Sequence, residues 1–331
     1  MDALSELLRA VKLSGAMFYI AECSKPWRVI SPPATTLGRY VAPDASHVIE
    51  FHLIMEGTGY IRVGEERTPF AAGDLLMVPH GDEHEMGNGT GGALYNAEPG
   101  IAELLKGGLC RSRIGGGGEE TRIVCGYFAC DAGLIKPVVA GLPRIVRVHL
   151  RTDAAGEWLE RSIQHAVLRV QEAAPGSDVI LARLAEVVFT EALQRYVRQL
   201  PQGRTGWLAG AGDVTVGRAL AALHHRPAHA WTLDELAEEA GVSRSVLTER
   251  FARYLGESPM AYLTDWRLEL GAEALRTSSR SVLQVAAEVG YESEAAFNRA
   301  FKRKFGSPPA QYRRALRTQR HHESAPQVSA V

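Results

Sequence analysis

No window of this chain approaches 18 consecutive apolar residues, so no segment is built to span a bilayer as a helix. The first residues, MDALSELLRAVKLSG, lack the basic region, apolar stretch and small-residue cleavage site of a secretory signal, and a cytoplasmic protein is expected. Cysteine is scarce. Cys23, Cys110, Cys125 and Cys130 have neither zinc-ribbon nor CxxC spacing, which points to reduced thiols. Net charge is almost absent: 37 Lys and Arg stand against 38 Asp and Glu, so bulk charge announces no nucleic-acid partner. Acids are also missing locally. Between Ala295 and Arg320 there is no Asp or Glu, while Arg299, Lys302, Arg303, Lys304, Arg313, Arg314, Arg317 and Arg320 all fall there. Charge alone leaves two readings open, a phosphate-contacting surface or a solvated helix end. What is present, 46% hydrophobic and 23% charged residues in a chain of 331, describes a folded protein of about two domains.

Residues 16 to about 150 read as strands. VIEFHLIMEG, GYIRVG, DLLMVP, TRIVCGYFAC and RIVRVHL alternate or run in short apolar blocks between Gly and Pro, the pattern of a sandwich or barrel. GNGTGG and GGGGEE mark loops. Near residue 153 the period becomes helical, with Trp158, Ile163, Val167 and Leu168, then Ile180, Leu184, Val187 and Val188, on either side of Pro175-Gly176-Ser177. PQGRTGWLAGAGD reads as a linker, and a short helix over 214–224 leads into the last domain.

That last domain contains a duplication. SRSVLTERFARYLGESPMAYL from Ser243 matches SEAAFNRAFKRKFGSPPAQYR from Ser293 at an offset of 50, aligning Leu247 with Phe297, Phe251 with Phe301 and Gly256 with Gly306. Upstream the offset is 49, pairing Ala237 with Ala286 and Gly241 with Gly290, so the second turn carries one extra residue at Tyr291-Glu292. Each copy has helix-turn-helix chemistry. Thr232 with Glu235 forms a capping box, Gly241 and Gly290 permit the tight turn, and Ser243 and Ser293 cap the second helices. Met260 to Arg276 reads as one helix of ~25 Å, a strut able to hold two recognition helices about one DNA turn, roughly 34 Å, apart.

Over residues 215 to 317, on TLDELAEEAGVSRSVLTERFARYLGESPMAYL and VAAEVGYESEAAFNRAFKRKFGSPPAQYR, the chain resembles the AraC/XylS family of regulators. The resemblance implies that the second helix of each unit enters the major groove of promoter DNA. The matching base-facing positions are Ser245, Thr248 and Glu249 in the first unit, and Glu294, Ala295, Asn298 and Arg299 in the second. Arg299 suits guanine and Asn298 adenine, while Glu249 suits either cytosine or a structural role. Ser243, Arg244, Ser293, Lys302 and Arg303 complete the expected interface, the cations as phosphate contacts.

Residues 38 to 88 resemble the cupin barrel. The segment from Gly73 through Pro79, Gly81 and His84 to Asn88 fits the second cupin motif, while the first becomes Glu50-Phe51-His52-Leu53-Ile54-Met55-Glu56, with Glu50 in place of a histidine. On an unbroken strand Glu50, His52 and Glu56 share a face, and with His84 they make an expected site for zinc or iron. A metal-free pocket for a polar effector is the alternative. Cys23, beside Lys25 and Arg28, is a candidate redox thiol, the alternative being an ordinary one.

The sequence thus leads to an α+β chain with four parts. Residues 1–150 form a cupin-like β-barrel sensor, with an N-terminal arm at 1–15, and 151–212 a helical dimerisation and linker segment. Residues 213–318 are an all-α domain with two helix-turn-helix motifs, at about 231–254 and 281–305, and 319–331 a disordered tail. The expected function is sequence-specific transcriptional regulation, gated by a small molecule, metal or redox signal. The expected partners are double-stranded promoter DNA, a second copy of the chain, an effector and, for an activator, RNA polymerase. The competing function is a cupin metalloenzyme, an isomerase or dioxygenase, fused to a DNA-binding tail.

Overall fold

The structure is a computed structural model and describes residues 2–11, 13–98, 101, 110–172, 174–201 and 203–323. Backbone contacts divide the chain into two units, one of residues 11–204 and one of residues 1–10 with 205–331.

The first unit holds two sheets. In the larger, strands run β11-β6-β3-β10-β1-β9, and in the smaller β5-β4-β7-β2-β8. The strands are β1 (Ser14–Ser24), β2 (Trp27–Ser31), β3 (His47–Glu56), β4 (Thr58–Val63), β5 (Glu66–Ala71), β6 (Asp74–Val78), β7 (His84–Asn88), β8 (Leu94–Asn96), β9 (Cys110–Gly115), β10 (Glu120–Cys130) and β11 (Val146–His149). Tyr19, Trp27, Ile54, Ile61, Phe70, Met86 and Ile123, drawn from both sheets, form one apolar core. The expected barrel is therefore an open sandwich, with separate edges on each sheet among the described residues.

The remaining elements of this unit are helical. They are α2 (Ala34–Val41), α3 (Ala132–Val139), α4 (Ala154–Gln171) and α5 (Ser177–Arg198), while α1 (Ala3–Val11) falls almost wholly in the other unit. Helix α5 lies on the outer face of the larger sheet, where Phe128 stacks on Phe51 at 4.5 Å and meets Phe189 at 4.8 Å. Strand β3 is thus buried on both faces, which explains why VIEFHLIMEG reads as a nearly continuous apolar run. Asp153 caps α4 through the Gly156 N–H, whereas Ser177 turns its hydroxyl to the Ala174 carbonyl and leaves Gly176 at the N-cap of α5.

The second unit is helical: α6 (Trp207–Gly212), α7 (Val214–His225), α8 (Leu233–Ala240), α9 (Arg244–Leu255), α10 (Pro259–Thr277), α11 (Val282–Glu288), α12 (Glu294–Phe305) and α13 (Pro309–Glu323). Helix α1 joins it, burying Ala3 and Leu7 and placing Glu6 3.2 Å from His225 on α7. Both turns close in the same way. The N–H of Val242 donates to the Ala237 carbonyl at 3.0 Å, and that of Tyr291 to the Ala286 carbonyl at 2.9 Å. Gly241 and Gly290 sit at φ 73° and 87°, and a Cβ on Gly290 would meet the Ala228 backbone at 2.8 Å. The tail expected from residue 319 instead continues as α13 through Glu323, and residues 324–331 lie outside the described residues. No helix is long and apolar enough to cross a membrane among the described residues.

Candidate nucleic-acid interface and sensor cavity

The second helices of the two helix-turn-helix units, α9 and α12, are anchored by side chains one helical turn apart. Leu247 and Phe251 are fully buried on α9, and Phe297 and Phe301 on α12. The opposite faces are open. Arg244, Ser245 and Glu249 are exposed with Thr248 half-buried, and Glu294, Ala295, Arg299, Lys302 and Arg303 are exposed with Asn298 half-buried. The spacing i, i+3, i+4 places Ser245, Thr248 and Glu249 on one ridge and Ala295, Asn298 and Arg299 on the equivalent ridge. Ser243 and Ser293 are caps: their hydroxyls accept from the N–H groups of Val246 and Ala296. Each hydroxyl thereby satisfies one of the free amides at the start of its helix.

The cations of the two helices are committed differently. Arg244 pairs with Asp234 at 3.0 Å and Arg250 with Asp213 at 3.3 Å. Arg299, Lys302 and Arg303 form no ion pair among the described residues, whereas Lys304 is held by Asp265 at 2.6 Å and Glu269 at 2.8 Å. Sequence pattern could not separate Lys304 from its neighbours, because its acidic partners lie on α10.

In the other unit, Glu50 and His52 on β3 face His84 on β7 across the interior. Their ligand atoms all lie within 4.8 Å of one another, and all three residues are buried. His52 Nε2 and His84 Nε2 are 2.7 Å apart, His84 Nδ1 is 3.1 Å from the Asp82 carbonyl oxygen, and His52 Nδ1 is 3.1 Å from Cys125 Sγ. Glu50 Oε1 is buried without a hydrogen-bond partner. Burial pushes the Glu50 carboxyl up to about 8 and His84 down to about 4; burial and the His84 neighbour hold His52 well below its usual range. Two neutral imidazoles and an orphaned carboxylate oxygen converging on one point are a donor set for a divalent transition metal, and the residues present fit such a group. The adjoining cavity is about 50 Å³ and is walled by Trp27, Val29, Leu37, Met86 and Ile123.

Two expected residues stand elsewhere. Glu56 is 54% exposed and pairs with Arg122 at 3.0 Å. The β3–β10 register shifts between Arg122 and Ile123, so Glu56 pairs with Arg122 while Ile54 pairs with Ile123, and the alternation that carries Glu50 and His52 inward turns Glu56 outward. It ends a cross-strand row of alternating charge, Arg113-Glu22-Arg122-Glu56. Cys23 does line the cavity, but burial pushes its thiol up to about 12. Arg28, expected to favour the thiolate, is instead paired with Glu85 at 2.8 Å. Nor can Cys23 bridge to Cys125. In the β1–β10 ladder Cys125 lies opposite Tyr19 rather than Cys23. The separation of roughly 13 Å exceeds the reach of a disulfide, about 7 Å. The thiol that touches the site is Cys125, 3.1 Å from His52 Nδ1.

Helices α4 and α5 expose Trp158 (63%), Val179 (59%), Leu168 (56%), Ile180 (52%) and Val187 (45%).

The cupin family profile matches residues 2–198, and that of the helix-turn-helix domain residues 236–315. The chain is 32% identical over 325 residues to an AraC-like transcription regulator of Streptomyces antibioticus, covering 95% of this chain and 99% of that one. It is 28% identical to the HTH-type transcriptional regulator AlkR of Acinetobacter baylyi, covering 95% and 99%. Among solved structures it is similar to the DNA-binding domain of AdpA in complex with a target DNA, with 32% identity over 31% of this chain and 93% of that one and a TM-score of 0.31. The chain belongs to the AraC-like transcription regulators, with a cupin domain followed by a DNA-binding domain of two helix-turn-helix units.

Proposed function

We propose that this regulator reads two successive major-groove segments with α9 and α12, and that a divalent metal at Glu50, His52 and His84 is the signal that gates it. The orphaned Glu50 Oε1 facing two converging imidazole nitrogens carries the metal reading. Cavity size favours it over a larger effector. About 50 Å³ admits a metal ion with a few waters, at about 10–15 Å³ each, whereas organic-ligand pockets run from about 300 Å³. The same limit disfavours the enzyme alternative, which needs room for a substrate beside the metal. The five large apolar side chains exposed on α4 and α5 support a homodimer through these helices, since exposed apolar surface of this kind is commonly covered by a symmetry mate.

The test is selection of a binding site from random duplexes by the full-length chain, followed by fluorescence anisotropy with Zn(II), with Fe(II) and with chelator. The expected result is a bipartite motif with a steep salt dependence, and an affinity that changes on metal removal in the wild type but not in His84→Ala. A selected pool without a motif overturns the DNA assignment of the two helices. Affinity indifferent to metal overturns the gating. Ile180→Asp with Leu168→Asp is expected to yield a monomer by analytical ultracentrifugation, and a persisting dimer overturns the interface.

A further inference from the structure

We infer that Cys125 is the positioning residue of the metal centre, its thiol allowing His52 to hold either tautomer so that the cation can come and go. The inference rests on the metal reading above.

The hydrogen bonds fix the protons. The Asp82 carbonyl only accepts, so the His84 nitrogen facing it at 3.1 Å, Nδ1, carries the proton, and His84 Nε2 presents a lone pair. His52 Nε2, 2.7 Å away, donates to that lone pair when no cation lies between them. Its Nδ1 is then bare, and the group 3.1 Å behind it, Cys125 Sγ, donates S–H to it. A cation reverses the demand. Both Nε2 atoms turn lone pairs to the metal, the His52 proton sits on Nδ1, and sulfur accepts it while the S–H rotates away. The proton count on the imidazole and thiol is the same in both arrangements.

Side chains that only accept, or that do neither, fail in one arrangement or the other. A carbonyl or carboxylate behind Nδ1 only accepts. It would lock the metal-binding tautomer and leave two lone pairs opposed at 2.7 Å whenever the cation left. An apolar side chain would strand the Nδ1–H of the loaded form in a buried setting. A thiol serves both ways, as a weak donor and a weak acceptor. The sequence alone hid this role, because Cys125 and His52 are 73 residues apart and meet only through the β10–β3 pairing.

The experiment titrates full-length wild type, Cys125→Ala and Cys125→Ser with Co(II), reading the ligand-field absorption, and follows the His52 ring nitrogens by ¹⁵N NMR before and after Zn(II). Cys125→Ala is expected to weaken Co(II) binding by about 10–100-fold, and Cys125→Ser, whose hydroxyl also donates and accepts, to recover most of that loss. In the wild type Zn(II) should move the His52 proton from Nε2 to Nδ1. Packing alone predicts the reverse order, because cysteine packs as a small hydrophobe and alanine replaces it better than serine. Equal Co(II) affinity in wild type and Cys125→Ala, or equal losses in both variants, overturns the proposal. So does a His52 proton that stays on one nitrogen, a readout that needs no variant to fold. A wild-type chain that takes up no Co(II) overturns the metal reading and this inference with it. That failure is told apart from the others because in them the wild type binds.

Discussion

The two helix-turn-helix units share a backbone and differ in what fills it. The first is built around a polar aromatic stack. His224 lies against Trp266 at 4.3 Å, the Trp207 indole N–H donates to the Tyr262 oxygen at 2.8 Å, and that hydroxyl lies 2.7 Å from His224 Nε2. Because the Tyr262 oxygen accepts from Trp207, its own proton goes to His224 Nε2, which leaves His224 Nδ1 buried and unpartnered. The second unit has an apolar core of Val285, Phe297 and Phe301 with Phe305 and Tyr312 against it. The outer faces differ as well. Glu249 stands where the second unit has Arg299, and the first recognition helix pairs Arg244 and Arg250 with acids while Arg299, Lys302 and Arg303 stay unpaired among the described residues. One duplicated frame thus carries two different outer surfaces, one with Glu249 and two ion-paired arginines, the other with three unpaired cations among the described residues.

The strongest challenge to this comparison is to remove one core. Phe301→Ala is expected to cost about 3–5 kcal/mol and to release the amides of α11 and α12 in hydrogen exchange while α8 and α9 stay protected. Equal loss in both would show that α10, which supplies Tyr262 and Trp266 to one core and Leu268 and Leu275 to the other, makes them one cooperative body.

Next comes the exchange of reading residues. Arg299→Ala should cost ~1–3 kcal/mol on the selected site and relax one base position, measured by anisotropy on single-base variants. Glu249→Ala should relax a position in the other half-site with a smaller loss, since an acid contributes no phosphate attraction. A uniform loss for Arg299→Ala across all sequences would make it a phosphate contact instead.

Acid separates the cores. Burial holds the His224 pKa down to about 3, against 6.5 for a free histidine. The unfolded chain therefore takes up a proton that the folded one refuses, and this contribution is complete above pH 6.5 and is lost as pH falls toward 3. At pH 5.5 the first unit should be less stable by about 1.4 kcal/mol than at pH 7.5, with no matching term from the second core. Exchange protection of α7 and α10 that is flat between these pH values would remove His224 from the account.

The smallest effect is in the salt slope. Lys302→Ala should reduce it by about 1 and weaken all sequences alike, whereas Arg244→Ala, already neutralised by Asp234, should change it less. Equal slopes would mean that Arg244 leaves Asp234 on binding DNA.

Much of the helical unit was legible because its determinants are local. The Thr232–Glu235 capping box, the caps at Ser243 and Ser293 and the glycine turns each act within a few residues, and all form as expected. The cavity was half legible. His84 and His52 follow from motif and strand parity, and Glu50 shares their face because β3 is regular from His47 to Ile54. Parity then failed at Glu56, since the register shift after Ile54 reverses the faces; Gly57, at φ 81°, is the local residue that points to a turn beside Glu56.

The sequence by itself determined the duplication, the caps and turns of both units and the histidines of the interior, since hydrogen-bond period and capping are set by neighbours along the chain. Tertiary structure alone decided which charged and reactive groups are free to act. Lys304 is spent on Asp265, Arg28 on Glu85 and Glu56 on Arg122, while Cys23 is buried and Cys125 stands behind His52. Each of these depends on partners brought together by sheet pairing or helix packing, and desolvation with pairing, rather than residue type, sets whether a side chain can act.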